Sequence, residues 1–156
     1  MSGMMGVSWL EARVSVHATE DRDKVVKALS SILPLTGGGF EVVEDVFEGH
    51  YGNQIRVITV RLRDGRTALK VLEGILSRLP VHDRRYLLDT LEERVDKNGV
   101  LYLRVSKQDA YLGDVRVYEG DDVIRIAVGF QGGRKRAIRF YKSLLERLID
   151  SEGNPG

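Results

Sequence analysis

The chain has 156 residues, 42% hydrophobic and 30% charged, and 24 Lys plus Arg stand against 23 Asp plus Glu for a formal net charge of +1. At roughly 100–200 residues per domain this is enough for one globular domain with its own core, and the mixture excludes disordered and collagen-like architectures. With so little net charge, any affinity for nucleic acid must come from clustering of basic side chains; the absence of cysteine removes disulfides, thiol nucleophiles and Cys-ligated zinc together.

Residues 1–6 place no basic stretch ahead of an apolar run, and no apolar stretch approaches the roughly 18 residues that span a bilayer. Neither secretion nor membrane insertion is expected, and the expected location is the cytoplasm. Over 8–18, Leu10, Ala12, Val14, Val16 and Ala18 alternate with Trp9, Glu11, Arg13, Ser15 and His17, the pattern of a half-buried strand. Thr19, Glu20 and Asp21 then supply capping oxygens and early acids for a helix over about 20–33 carrying Val25, Val26, Ala28, Leu29, Ile32 and Leu33, stopped by Pro34. Gly37, Gly38 and Gly39 form a turn, after which 40–48 and 54–62 read as an antiparallel pair joined through Gly49-His50-Tyr51-Gly52-Asn53. From Asp64 the period becomes helical, with Ala68, Leu69, Val71, Leu72, Ile75, Leu76 and Leu79 on one stripe up to Pro80. A further helix runs from about His82 to Asp96 and stops at Asn98-Gly99. Strands at 100–106, 114–118 and 122–130 follow, then a helix over 134–149. The order is βαββααβββα: an α+β domain over 1–150, with a mostly antiparallel sheet, helices on one of its faces, and a polar tail at 151–156.

Enzyme signatures fail on spacing. His17, His50 and His82 form no HExxH-type pair, and neither Gly37-Gly38-Gly39 nor the run Gly129 to Gly133 supplies a P-loop or a dinucleotide fingerprint. Glu41, Glu44, Asp45 and Glu48 read as a solvated strand edge, with metal ligation as the alternative. No catalytic residue, metal or cofactor is expected. The basic and aromatic residues are more informative. The face opposite the apolar side of the first strand shows Arg13 and His17, and that of the fourth shows Tyr102 and Arg104, with Arg125, Arg116 and Tyr118 as extensions. Guanidinium groups neutralise phosphates and aromatic rings stack unpaired bases, which is how RNA modules use such a face; pairing with neighbouring acids or docking on a protein is the competing reading. The last helix carries Arg134, Lys135, Arg136, Arg139, Lys142 and Arg147 against the single acid Glu146. Gly132-Gly133 opens it with free backbone N–H groups where phosphate can bind; a solvated amphipathic face explains the same bases.

Three segments resemble a known family. His17-Ala18-Thr19-Glu20-Asp21, Gly49-His50-Tyr51-Gly52-Asn53, and Gly99-Val100-Leu101-Tyr102-Leu103-Arg104 with Lys107-Gln108-Asp109-Ala110-Tyr111-Leu112-Gly113 are similar to the archaeal family of RNA-binding proteins and predicted exosome subunits, over about 7–130. Gln54 departs from the proline of the family pattern, which alters the turn. The resemblance implies a fold similar to the 5S-RNA-carrying large-subunit ribosomal protein, a capacity to form a homodimer, and a place in archaeal RNA processing beside the exosome. In the matching segments, His50, Tyr51 and Asn53 could stack on and hydrogen-bond a base, or form a loop in which Asn53 is left-handed and Tyr51 caps the core. Lys107, Gln108 and Tyr111 offer phosphate and base contacts, with burial of Tyr111 as the alternative.

The sequence therefore predicts a non-catalytic RNA-binding protein. Arg13, Arg104, Lys107, Arg134, Lys135 and Arg136 are expected at phosphates, His17, His50, Tyr51, Tyr102 and Tyr111 at bases, and Asn53 and Gln108 as hydrogen-bonding residues. The rival reading is a protein-interaction subunit that docks through its sheet face.

Overall fold

The computed structural model describes residues 6–37 and 39–152; Gly38 of the expected glycine turn and most of the expected tail lie outside these residues. The central strand β1 (Gly6–Val16) pairs with β3 (Gln54–Leu62) on one side and β5 (Val123–Gln131) on the other. β2 (Phe40–Glu48) adds beyond β3 and β4 (Leu101–Ser106) beyond β5, so the order is β2-β3-β1-β5-β4 with every pair antiparallel. The helices α1 (Arg22–Ile32), α2 (Gly65–Arg78), α3 (Val81–Asp89), α4 (Leu91–Arg94), α5 (Lys107–Tyr111) and α6 (Arg134–Glu152) complete an α+β fold.

The period-2 pattern of β1 decides which face is covered. Leu10, Ala12, Val14 and Val16 are buried, and so are their neighbours in the pairing, Val60 and Leu62 on β3, Ile124, Ile126 and Val128 on β5, and Leu101, Leu103 and Val105 on β4. Onto this face pack the apolar stripes of α1 (Val25, Ala28, Leu29, Ile32), α2 (Val71, Leu72, Ile75, Leu76) and α6 (Ala137, Tyr141, Leu144, Leu145). α2 lies along β1, α3 against α6, and α1 against α5. Burial pushes the Tyr141 phenol far above its ordinary pKa. The edge strand β2 overhangs this layer. Val42 pairs with buried Val60, on the core side of the sheet, yet is 57% exposed because no helix reaches over it.

Four expectations about local structure change. The helix expected over 82–96 is broken at Thr90, whose hydroxyl donates to the Tyr86 carbonyl at 2.8 Å and accepts from Arg94 Nε at 2.7 Å, competing with regular helix there. The strand expected at 114–118 is reduced to a single bridge between Val117 and Val105. The Ser106 N–H to the Arg116 carbonyl and the Tyr118 N–H to the Arg104 carbonyl flank that bridge, and on its other side the Val117 N–H goes to the buried carboxylate of Asp83 at 3.0 Å. Residues 107–111, expected to be loop, form α5, capped by Ser106, whose hydroxyl accepts from the Asp109 N–H. The last helix runs to Glu152, beyond the expected 149.

Arg84 is the charged group that closes the helix layer. It is 2% exposed, and its guanidinium donates to the carbonyls of Leu76 and Ser77 at the end of α2 and of Leu148 near the end of α6. One planar cation thus meets the negative ends of two helices. Arg84→Met is expected to destabilise the fold by about 2–4 kcal/mol, read as a fall in Tm of about 5–15 °C by circular dichroism. A Tm within about 2 °C of the parent's would show that the layer closes without this group.

Candidate nucleic-acid interface

The face of the sheet away from the helices is built by the intervening residues of the same strands, and the registers fix which of them are neighbours. Arg13 on β1 stands opposite Arg125 on β5, and Arg125 stands opposite Arg104 on β4, so three guanidinium-bearing residues lie side by side across three hydrogen-bonded strands. Like charges directly opposite each other destabilise a sheet. Arg13 and Arg125 are exposed, and their side chains make no hydrogen bond or ion pair among the described residues. Arg104 is half-buried and donates one N–H to the Gly120 carbonyl, while its Nε is buried without a partner. No carboxylate neutralises any of the three among the described residues.

The adjoining row is Arg61, Glu11, Ala127 and Tyr102, on β3, β1, β5 and β4. Arg61 Nε donates to Glu11 Oε2 at 2.9 Å. Tyr102 is 49% exposed and its hydroxyl donates to Asp96 Oδ2 at 3.1 Å. Partial burial, and then this hydrogen bond, raise the phenol's pKa above the ordinary value. Partial burial opposes ionisation of Asp96, but the N–H groups of Val100 and Asn98 outweigh it and hold the carboxyl below the usual range. One row further, Trp9 lies against Gly129: a Cβ at Gly129 would stand 2.0 Å from Trp9 Nε1. Glycine is what lets the indole lie flat on the sheet. Glu11, Arg13, Tyr102, Arg104, Arg125 and Ala127 line one shallow depression.

The remaining expected site residues fall in two other places. His17, Tyr51, Asn53, Lys107, Gln108 and Tyr111 lie at the end of the sheet where β1 finishes and β3 begins. There His17, Ala18 and Thr19 share a pocket with Gly49 and Asn53, and Thr19, Glu20 and Asp21 share another with Gln108 and Tyr111. The segment 17–21 therefore joins the other two family-like segments. Tyr51 takes the left-handed conformation at φ 69° and is 99% exposed, so it does not cap the core, while Asn53 is extended. The side chain of His50 lies outside the described residues. Lys107 is not a surface cation: it is 5% exposed and its ammonium is held between Glu20 at 2.9 Å and Asp122 at 2.8 Å, with the Ser15 carbonyl at 3.1 Å. Tyr111 is half-buried, with Lys27 Nζ 4.6 Å from its ring centroid. Sequence reasoning missed Glu20, whose carboxylate takes both Lys107 and the His17 N–H.

The third place is the start of α6. Arg134 donates to the carbonyls of Val95 and Glu92, so its charge is partly spent on the end of α4, while Lys135 and Arg136 are exposed. Tyr102 and Arg134 are thus held to adjacent residues, Asp96 and Val95, which brings the helix start to the Tyr102 end of the open face. Arg116, expected to extend that face, instead turns to Asp83 and His82. The acids of β2 are engaged as a strand edge would have them, Glu44 with Arg22 and Arg56 and Glu41 with Arg63.

A family model described as RNA binding matches residues 9–130. The chain is similar to the RNA-binding protein PAB1135 of Pyrococcus abyssi, with 39% identity over 132 residues that cover 82% of this chain and 84% of that protein. It superposes on the crystal structure of protein AF2318 from Archaeglobus fulgidus with a TM-score of 0.75 at 33% identity, covering 88% of this chain and 99% of the other. On protein SSO0741 from Sulfolobus solfataricus the TM-score is 0.77 at 26% identity, covering 92% and 98%. The matched span contains the arginine row, Tyr102 and all three family-like segments, and it ends before Arg134.

The fit of Trp9 to Gly129 is open to direct measurement, because Trp9 is the sole tryptophan. Gly129→Ala should lift the indole off the sheet, red-shifting its fluorescence and costing about 1–3 kcal/mol in stability. An unchanged emission maximum would mean that the ring does not lie on Gly129 in solution.

Proposed function

The chain belongs to this RNA-binding family, and from that premise we propose that it binds RNA through the open face of its sheet, without catalysis. The observation that carries the reading is the row Arg13–Arg125–Arg104. Three guanidinium groups aligned across neighbouring strands, with no acid to neutralise them, cost stability in the free protein and gain it back when phosphates dock and counterions are released. Tyr102 in the next row and Trp9 in the one beyond it offer aromatic surface for unstacked bases. Tyr51, strained and fully exposed at the far end of the sheet, is the third aromatic contact in this reading. Lys135 and Arg136 extend the basic surface past Tyr102. Lys107 serves the site by holding segment 17–21 in place.

The same proposal covers the cellular setting: a cytoplasmic factor of archaeal RNA processing, associated with the exosome or a related assembly. The family-like segments support it. A second reading has one specific observation behind it. On β2, Val42, Val46 and Phe47 are 57%, 53% and 50% exposed on a strand with a free edge, which suits docking on a protein or a second copy of this chain.

Fluorescence anisotropy across a salt series tests the leading reading. Arg13→Ala with Arg125→Ala should weaken binding to all RNAs alike and reduce the slope of log K against log salt by about 1.4 for a single strand, at about 0.7 per lost phosphate contact. Its Tm should equal or exceed the parent's, since a like-charge pair has been relieved. An unchanged slope and affinity would remove the row from the interface. Light scattering tests the second reading: a stable dimer that Val46→Lys dissociates, in a protein that binds no RNA at low salt, would favour it.

A further inference from the structure

We propose that the depression over Ala127 is a pocket for a guanine base of single-stranded RNA, whose Watson–Crick edge is read by Glu11. This rests on the RNA-binding reading and specifies the substrate class for the same face. Ala127 sits midway in the row Glu11–Ala127–Tyr102, with one residue paired on each side. At about 4.8 Å between adjacent strands, the backbones of Glu11 and Tyr102 stand roughly 10 Å apart. A methyl group forms the floor between them, which leaves space for a planar ring. The arginine row borders the same depression and places phosphate binding beside it.

Glu11 is the anomaly that points to the base. It is the only acidic residue on the open faces of β3, β1, β5 and β4. A carboxylate next to a phosphate-binding row repels every RNA unless it receives hydrogen bonds in return. Arg61 holds it in position through Oε2 at 2.9 Å, and Oε1 has no hydrogen-bond donor among the described residues. A carboxylate only accepts, so the edge it selects must present donors side by side. Guanine does so with N1–H and the 2-amino group. The adenine and cytosine edges put a ring-nitrogen acceptor beside their amine, and uracil flanks its single N–H with two carbonyls; each would set a lone pair against the carboxylate. Tyr102, fixed at its hydroxyl by Asp96, presents its ring to the bound base without having to be ordered first.

The experiment compares anisotropy of the protein with three labelled RNAs of equal length and charge: oligouridine, the same strand with guanosine at every third position, and the same strand with inosine at those positions. The guanosine strand should bind about tenfold tighter than oligouridine. Inosine, which lacks the 2-amino group, should lose most of that gain without any change to the protein. Glu11→Gln should bind oligouridine at least as tightly as the parent and lose the preference. Equal binding of oligouridine and the guanosine strand, or a preference that survives in Glu11→Gln, would overturn the pocket and leave RNA binding standing. Failure of every strand to bind at low salt would overturn the RNA-binding reading and the pocket with it.

Discussion

The antiparallel registers of β5 with its two neighbours are the constraint on which the proposed RNA-binding surface depends. They bring Arg13, Arg125 and Arg104 into one line, although these residues come from three separated stretches of chain. Hydrogen bonding across the strands keeps them there. A sheet selected for stability alone would alternate their charges. The row is tolerated because it stands on the face open to water, where solvent screens the repulsion, while the opposite face of the same strands buries Leu10, Ala12, Val14, Ile124, Ile126 and Val128. The period of two lets one strand do both jobs: each residue that anchors the core is followed by one that faces outward. The buried Arg84 shows a cation handled in the opposite way, each of its three guanidinium nitrogens donating to a carbonyl.

Much of this was legible in the sequence, for identifiable reasons. Strict alternation in β1 and β4 put Arg13, Tyr102 and Arg104 on the open face before any pairing was known. Alternation within a strand says nothing about which strand lies beside it. The position of β5 between β1 and β4, and hence of Arg125 at the middle of the row, became visible only with the topology. Lys107 misled because its side chain reads as a soluble cation after a strand end. Ser106 caps a five-residue helix there, which buries the ammonium between two carboxylates that lie 87 and 15 residues away in the chain. The segment 114–118 had strand composition but pairs with β4 only at the Val117–Val105 bridge, and its outer Val117 N–H is taken by Asp83, a tertiary partner that local propensity does not register. Glu20 escaped notice for the same reason: as a helix-start acid it looked like a capping residue, while its partners are tertiary.

The two ends of β1 divide the work in a way that bears on how an RNA would lie. Arg13 belongs to the arginine row, and four residues later His17 borders the pocket beside Gly49 and Asn53, a run of roughly 13 Å at the rise of an extended strand. Segment 17–21 is held at that end by Glu20, Lys107 and Asp122, a chain of charges that fixes a loop at no cost to the basic surface, since its cation is already neutralised. A single strand of two or three nucleotides covers such a distance. On the proposed reading, an RNA whose phosphates met the row and whose next nucleotides reached the His17 end would gain from effective concentration at the second contact. A rigid strand joining two modest sites avoids most of the ordering entropy that a flexible tether would lose on binding. In the proposed reading, the short loop that carries the exposed Tyr51, closed by the Gly49 N–H to the Asn53 carbonyl at 2.6 Å, would hold the ring ready for such a contact. On a longer, freer loop the ring would have to be ordered again for every RNA it met.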